Sequence, residues 1–198
     1  MGSNLRFKGI YAFLLMLVTA MVVSASSARS QASSFPVTLQ GATINPLASN
    51  SGKVTVLVFV RTDCPICNRY APVIERLRAK YEQQGVEFFL VFPNPALNAS
   101  AIRSYMTTYG YHCKALLDPG HFLVKRTGVQ ITPEAAVITA SGNEIYHGRI
   151  DNWYVNFWTW RKTATVHDLS NAIQAALAGK ADPEKTASAV GCYISDLQ

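Results

Sequence analysis

The stretch RTDCPICNRYAP, residues 61–72, sets Cys64 and Cys67 two residues apart, directly after an apolar run and directly before a helical pattern. Two thiols at that spacing serve as a redox couple, as half of a metal site, or as two buried side chains. At a strand-to-helix junction the redox couple has a mechanism. The unpaired N–H groups and positive end of a helix favour an exposed thiolate at Cys64, whereas Cys67, one turn in, is the more buried. Pro65 suits the first helical position, because its missing N–H would have had no partner there. The exposed thiolate attacks a disulfide, and the second thiol resolves the mixed disulfide.

Compartment decides whether such a pair needs a metal. Arg6 and Lys8 precede an apolar run from Ile10 to Val23, which opens into Ser and Ala with small-x-small patterns ending at Ala25 and Ala32. That is the order of a secretory signal. The apolar core of about 14 residues falls short of the roughly 20 that span a bilayer comfortably, although an uncleaved anchor is the rival reading. Residues 1–32 are therefore read as a signal peptide or N-terminal anchor, 33–180 as one folded domain, and 181–198 as a C-terminal tail carrying Cys192. The folded part is expected to be exported, periplasmic or extracellular, where disulfides persist. Removing residues 1–32 takes three bases and no acid from 18 basic and 12 acidic residues, leaving 15 against 12, a net +3. So small an excess is no nucleic-acid footprint. With 49% hydrophobic and 15% charged residues, the 198-residue chain has enough apolar material for one good core.

Alternating elements position the cysteines. FPVTLQGATINPL (35–47) reads as a short strand and turn, and KVTVLVFV (53–60) as a strand buried on both faces. A helix follows from Ile66 to Gln84, stopping at Gly85, then the buried strand VEFFLVFP (86–93), a helix ending at Gly110 and a short strand KALLD (114–118). HFLVKRTG is a short helix, AAVITASGNEIYHGRI a hairpin about Gly142-Asn143, and HDLSNAIQAALAG (167–179) the closing helix. This order is α/β, with a central mixed sheet flanked by helices.

These residues resemble the thioredoxin-like superfamily over about residues 35–180, on the redoxin side that includes membrane-tethered thiol-disulfide oxidoreductases and relatives of alkyl hydroperoxide reductase. The resemblance rests on the apolar strand entering Cys64-Pro65-Ile66-Cys67, on Pro72 five residues later, on Thr132-Pro133 before the hairpin, and on ALLDPGHFLVKRTGV. It implies a thioredoxin-like fold, a cis bond at Pro133, and a Thr132 backbone free to pair with an extended substrate. The implied activity is thiol-disulfide exchange on protein disulfides or dithiols, with Cys64 as nucleophile, Cys67 as resolving thiol, Thr132 and Pro133 at the substrate, and an unidentified electron donor or acceptor as partner. Departures matter too. Asp63 stands where thioredoxins have Trp, Val58 where they have a buried Asp, and Arg61 where peroxiredoxins have Thr. Asp63 would raise the Cys64 pKa, and Arg61 or Arg69 would lower it.

Other residues carry alternatives. Cys113 and Cys192 form a structural disulfide, stay buried and unpaired, or Cys192 reaches the CxxC as an accessory thiol; with Gly191 beside it, a tail that is mobile or docked elsewhere is expected. His112, His121, His147 and His167 show no metal spacing and read as surface or capping residues, so no metal and no cofactor is expected. His147 or His167 beside the cysteines would instead suggest a Cu(I)-binding assembly protein. A thiol peroxidase, with Cys64 attacking peroxide and Cys67 or Cys192 resolving the sulfenic acid, is the second alternative. Trp153, Trp158 and Trp160 lie in DNWYVNFWTWRKTATV, an insertion expected to cover the core or a partner surface. Asn98-Ala99-Ser100 matches a glycosylation triplet but suits a helix N-cap at Asn98 or Ser100.

Overall fold

An apolar run without polar alternation has to be covered on both faces, and all five residues of Thr55–Phe59 (β2) are buried. In the structure, a computed structural model that describes residues 35–48, 52–180 and 186–195, this strand lies inside a mixed seven-stranded sheet. The expectation of a signal or anchor over residues 1–32 lies outside the described residues. β2 pairs in parallel with Glu87–Phe92 (β3) and antiparallel with Glu134–Ile138 (β6). Val37–Thr38 (β1), Lys114–Leu117 (β4), Glu144–Gly148 (β7) and Thr186–Ala187 (β10) complete the order β1-β4-β3-β2-β6-β7-β10.

The period of two along β2 sends its side chains to opposite layers. Val56 and Val58 join Ile66, Tyr70 and Ile74 of helix α1 (Pro65–Glu82), Ile102 of α2 (Ala99–Tyr109) and Leu169 and Ile173 of α4 (Asp168–Leu177). Leu57 and Phe59 pack instead with Leu123 and Val124 of α3 (Phe122–Thr127). Helix ends follow local chemistry. The Asn98 side chain accepts the Ala101 N–H at 3.0 Å, so Asn98 is the N-cap, and Gly110 closes α2 in the left-handed conformation at φ 68°. Pro72 sits inside α1, where it removes the hydrogen bond to the Asn68 carbonyl.

Two further strand pairs were not legible as strands. Ile131–Thr132 (β5) pairs antiparallel with Cys192–Tyr193 (β11), and Tyr154–Asn156 (β8) with Thr159–Trp160 (β9). The β8–β9 hairpin splits the expected role of the tryptophans. Trp153 packs edge-on against Tyr70 with centroids 5.4 Å apart, whereas Trp158 is 82% exposed and Trp160 lies under the Arg69 guanidinium at 4.5 Å. His121 holds the N-cap position of α3 without a side-chain cap, but it is buried rather than at the surface, and its ring Nε2–H donates to the Pro93 carbonyl at 2.9 Å. Among the described residues no helix is long and apolar enough to cross a membrane.

Candidate active site

The chain leaves β2 at Val60, crosses Arg61 to Asp63, and enters α1 with Cys64 at the N-cap and Pro65 behind it. Cys64 makes no side-chain cap hydrogen bond, and the first-turn N–H groups of Ile66 and Cys67 instead favour its anionic form. Its Sγ lies 3.3 Å from the carbonyl oxygen of Thr132, the residue before the cis Thr132-Pro133 bond. The structure therefore brings Cys64 and Thr132 together across 68 positions of sequence.

The Cys64 pKa is drawn down to about 5, foremost by the hydrogen bond from the Cys67 thiol, against burial, and further by the Cys192 thiol and the backbone N–H groups of Cys67 and Ile66. Cys67 is driven the other way, well above an ordinary thiol, by burial and then by the Cys64 thiolate beside it. Both neighbouring arginines are engaged elsewhere. Arg61 binds both carboxylate oxygens of Asp63, Nε to Oδ1 at 3.0 Å and Nη2 to Oδ2 at 2.8 Å. Arg69 is occupied by Trp160 and by the Tyr154 hydroxyl at 3.2 Å. Neither the expected rise from Asp63 nor the expected fall from Arg69 leads the Cys64 shift.

Two expectations are corrected here. Cys64 is not exposed: it is 0% exposed. The tail is not docked elsewhere: Cys192, on β11, donates its thiol to Cys64 with the sulfurs 2.7 Å apart. β11 lies on β5, so the strand that leads to the site also carries the tail across its mouth. None of the four cysteines is in a disulfide: the Cys113 thiol donates to Glu75 Oε1 at 3.1 Å and its pKa is raised by burial, while Cys192 lies against Cys64. Cys192 is pushed up to about 12 by burial and by the neighbouring Cys64 thiolate.

Several residues that hold this arrangement were not singled out from sequence. Glu134 is buried and one carboxylate oxygen accepts the N–H groups of Gln130 and Ile131, each at 3.1 Å, fixing the loop that presents Thr132. Asp118 accepts the N–H groups of Phe122, Leu123 and Val124 at 2.8, 2.9 and 3.2 Å and so caps α3. Arg61 also donates to the Tyr193 carbonyl at 2.9 Å. β11 has only two residues, so alternation offered no signal for it. His147 Nδ1–H donates to Glu144 Oε1 at 2.9 Å, and His167 is the N-cap residue of α4. Among the described residues no three His, Cys, Asp or Glu side chains form a metal-sized group.

A buried mixed sheet with helices on both faces, a CxxC at the first helix, and a cis-proline loop against its first cysteine define a thioredoxin-like protein. The Redoxin family model matches residues 26–153, and the chain belongs to that family. It is 31% identical over 105 residues to the thiol-disulfide oxidoreductase ResA of Halalkalibacterium halodurans, covering 52% of this chain and 57% of the relative. It is 29% identical over 120 residues to the protein of that name from Bacillus thuringiensis, covering 58% and 65%. The chain thus spans less than two thirds of the length of these curated relatives. Among solved structures, an uncharacterised protein from Geobacillus kaustophilus aligns over 81% of this chain and 88% of its own, with TM-score 0.64 and 21% identity. A hypothetical protein from Sinorhizobium meliloti aligns over 80% and 88%, with TM-score 0.66 and 20% identity. Those two likenesses concern the fold alone.

Proposed function

We propose that the chain is a thiol-disulfide oxidoreductase acting on exported protein disulfides or dithiols through Cys64 and Cys67. One observation carries this reading: Cys64 stands at the start of α1 with a lowered pKa, hydrogen-bonded by the Cys67 thiol and 3.3 Å from the Thr132 carbonyl. The Cys64 thiolate attacks one sulfur of a substrate disulfide; that bond breaks, a Cys64–substrate disulfide forms, and the departing sulfur takes up a proton. Cys67 then loses its proton and attacks the Cys64 sulfur. The Cys64–Cys67 disulfide forms, the substrate leaves as a dithiol, and two electrons have passed to it. Run backwards, the same steps oxidise a dithiol.

Thr132 supplies backbone groups along which an extended substrate adds as a strand, with Pro133 behind it. Membership of the Redoxin family and likeness to thiol-disulfide oxidoreductases of the ResA type support the chemistry. The n-, h- and c-region order of residues 1–32 supports export, with the segment cleaved or kept as an anchor. The two sulfurs carry the electrons, so the reaction calls for no cofactor. Insulin-disulfide reduction tests the reading: Cys64→Ser is expected to lower it on the order of 10³-fold or more, and full activity in that variant refutes the assignment. Peroxide consumption without disulfide reduction would replace it with a thiol peroxidase.

A further inference from the structure

The C-terminal strand β11 is built into the site at every position. Cys192 lies opposite Thr132 and Tyr193 opposite Ile131. The Thr132 hydroxyl donates to the Cys192 carbonyl at 3.2 Å, and the Ile194 N–H donates to the Gln130 carbonyl at 2.9 Å. Arg61 holds the outer side through the Tyr193 carbonyl at 2.9 Å and the Ser195 hydroxyl at 3.4 Å. Ile194 is buried against the layer of Leu57 and Leu123, which anchors the strand by burial of apolar area. Gly191 is required by close approach: a Cβ there would lie 2.0 Å from the Thr132 carbonyl oxygen. The strand therefore takes the edge along which an extended substrate would add, and it delivers a thiol onto the Cys64 sulfur.

We propose that residues 191–195 are a tethered substrate of the site and that Cys192 is a third redox thiol, which takes Cys64 over from Cys67. The proposal rests on Cys64 and Cys67 being a working dithiol couple. Starting from the Cys64–Cys67 disulfide, the Cys192 thiol loses its proton and its sulfur attacks Cys64. The Cys64–Cys67 bond breaks, the Cys64–Cys192 bond forms, and Cys67 leaves as a thiolate that takes up the proton. One disulfide replaces another, with no net oxidation. The exchange moves the disulfide from a pair in which both sulfurs are buried to one that includes the partly exposed Cys192, where an incoming dithiol can attack. With β11 in place an external substrate cannot pair with β5, so it has to displace the strand first.

Peptide mapping of the full chain, equilibrated with oxidised glutathione, quenched in acid and alkylated, reads the link directly. Wild-type protein is expected to yield Cys64–Cys192 beside Cys64–Cys67, and Cys67→Ser to yield Cys64–Cys192 as its main disulfide. Gly191→Ala lifts the strand without touching a sulfur. Its Cys64–Cys192 yield is expected to fall, and iodoacetamide labelling of Cys64 to accelerate, each on the order of tenfold, as the open fraction grows. A Cys67→Ser protein that gives only glutathione adducts or intermolecular dimers, with Cys192 free, overturns the proposal; so does a Gly191→Ala protein with unchanged labelling and links. Insulin reduction by wild-type protein scores the dithiol reading separately, so failure of one cannot be taken for failure of the other.

Discussion

At Cys64 two thiols and two backbone N–H groups outweigh the burial that would keep the thiol neutral. The first of these donors belongs to Cys67. Labelling of Cys64 against pH is therefore expected to show a midpoint near 5, and Cys67→Ala, which deletes the leading donor, to move the midpoint upward. An unmoved midpoint would assign the shift to the helix N-terminus instead. The same shift acts on stability. With a folded value near 5 against an ordinary 9.0, Cys64 contributes stability that is present above 9.0 and lost as pH falls through 5. Cys67, Cys113 and Cys192 are raised, so their contributions are present below 9.0 and lost as pH rises through their folded values. Urea unfolding of the reduced protein, measured against the oxidised protein to cancel the carboxylates, is expected to show stability rising from pH 5 toward 9 and falling beyond it. A flat difference would contradict the assignment of the thiolate to Cys64.

The short elements around the cysteines are held by single buried carboxylates. α3 has only six residues, too few to be stable without tertiary support, and Asp118 binds three of its first N–H groups. Asp118→Ala leaves those donors unpaired and is expected to cost about 2–3 kcal/mol, read as a lowered urea midpoint at unchanged slope. β5 has two residues, held from one side by Glu134 and from the other by β11. Because β11 places Cys192 on Cys64, Cys67→Ser alone is expected to release a captured substrate. The Cys67→Ser, Cys192→Ser double variant is expected to accumulate a long-lived mixed disulfide on non-reducing gels. Strong trapping in the single variant would show that Cys192 does not resolve. A Gly191-Cys192 pair read as a loose tail, without its strand partner, would instead leave the substrate trapped in the single variant.

For the molecule as a whole, a thiolate drawn to about 5 stabilises the reduced dithiol and makes the couple more oxidising than one with ordinary thiols. A glutathione titration of the Cys192→Ser protein, which keeps a single CxxC disulfide, is expected to fall between about −270 and about −120 mV, the span from thioredoxin to strong periplasmic oxidants. A value below that span would mean that Cys67, buried and raised, dominates the balance. Location is tested on protein from the native host: its N-terminus is expected between Ser26 and Ser33, or the chain is membrane-bound with residues 1–32 intact. Soluble cytoplasmic protein beginning at Met1 would remove the case for export.

The amino-acid order determined whatever depends on neighbours along the chain. Val56 to Phe59 are apolar without alternation, so with Thr55 they form a doubly covered strand. Cys64, Pro65 and Cys67 follow at once, so the thiols share the first turn of α1. Asn98 and Gly110 mark the ends of α2 by their own backbone and side-chain chemistry. The tertiary structure decided what depends on residues distant in sequence. Cys64 is met by Thr132 across 68 positions and by Cys192 across 128, and no local spacing encodes a contact of that kind. The burial of Cys64, the Cys192 thiol set against it and the closed mouth of the site all follow from where those segments land. Two-residue strands such as β5 and β11 carry too little periodicity to be read alone, and they exist because each is the other's hydrogen-bonding partner.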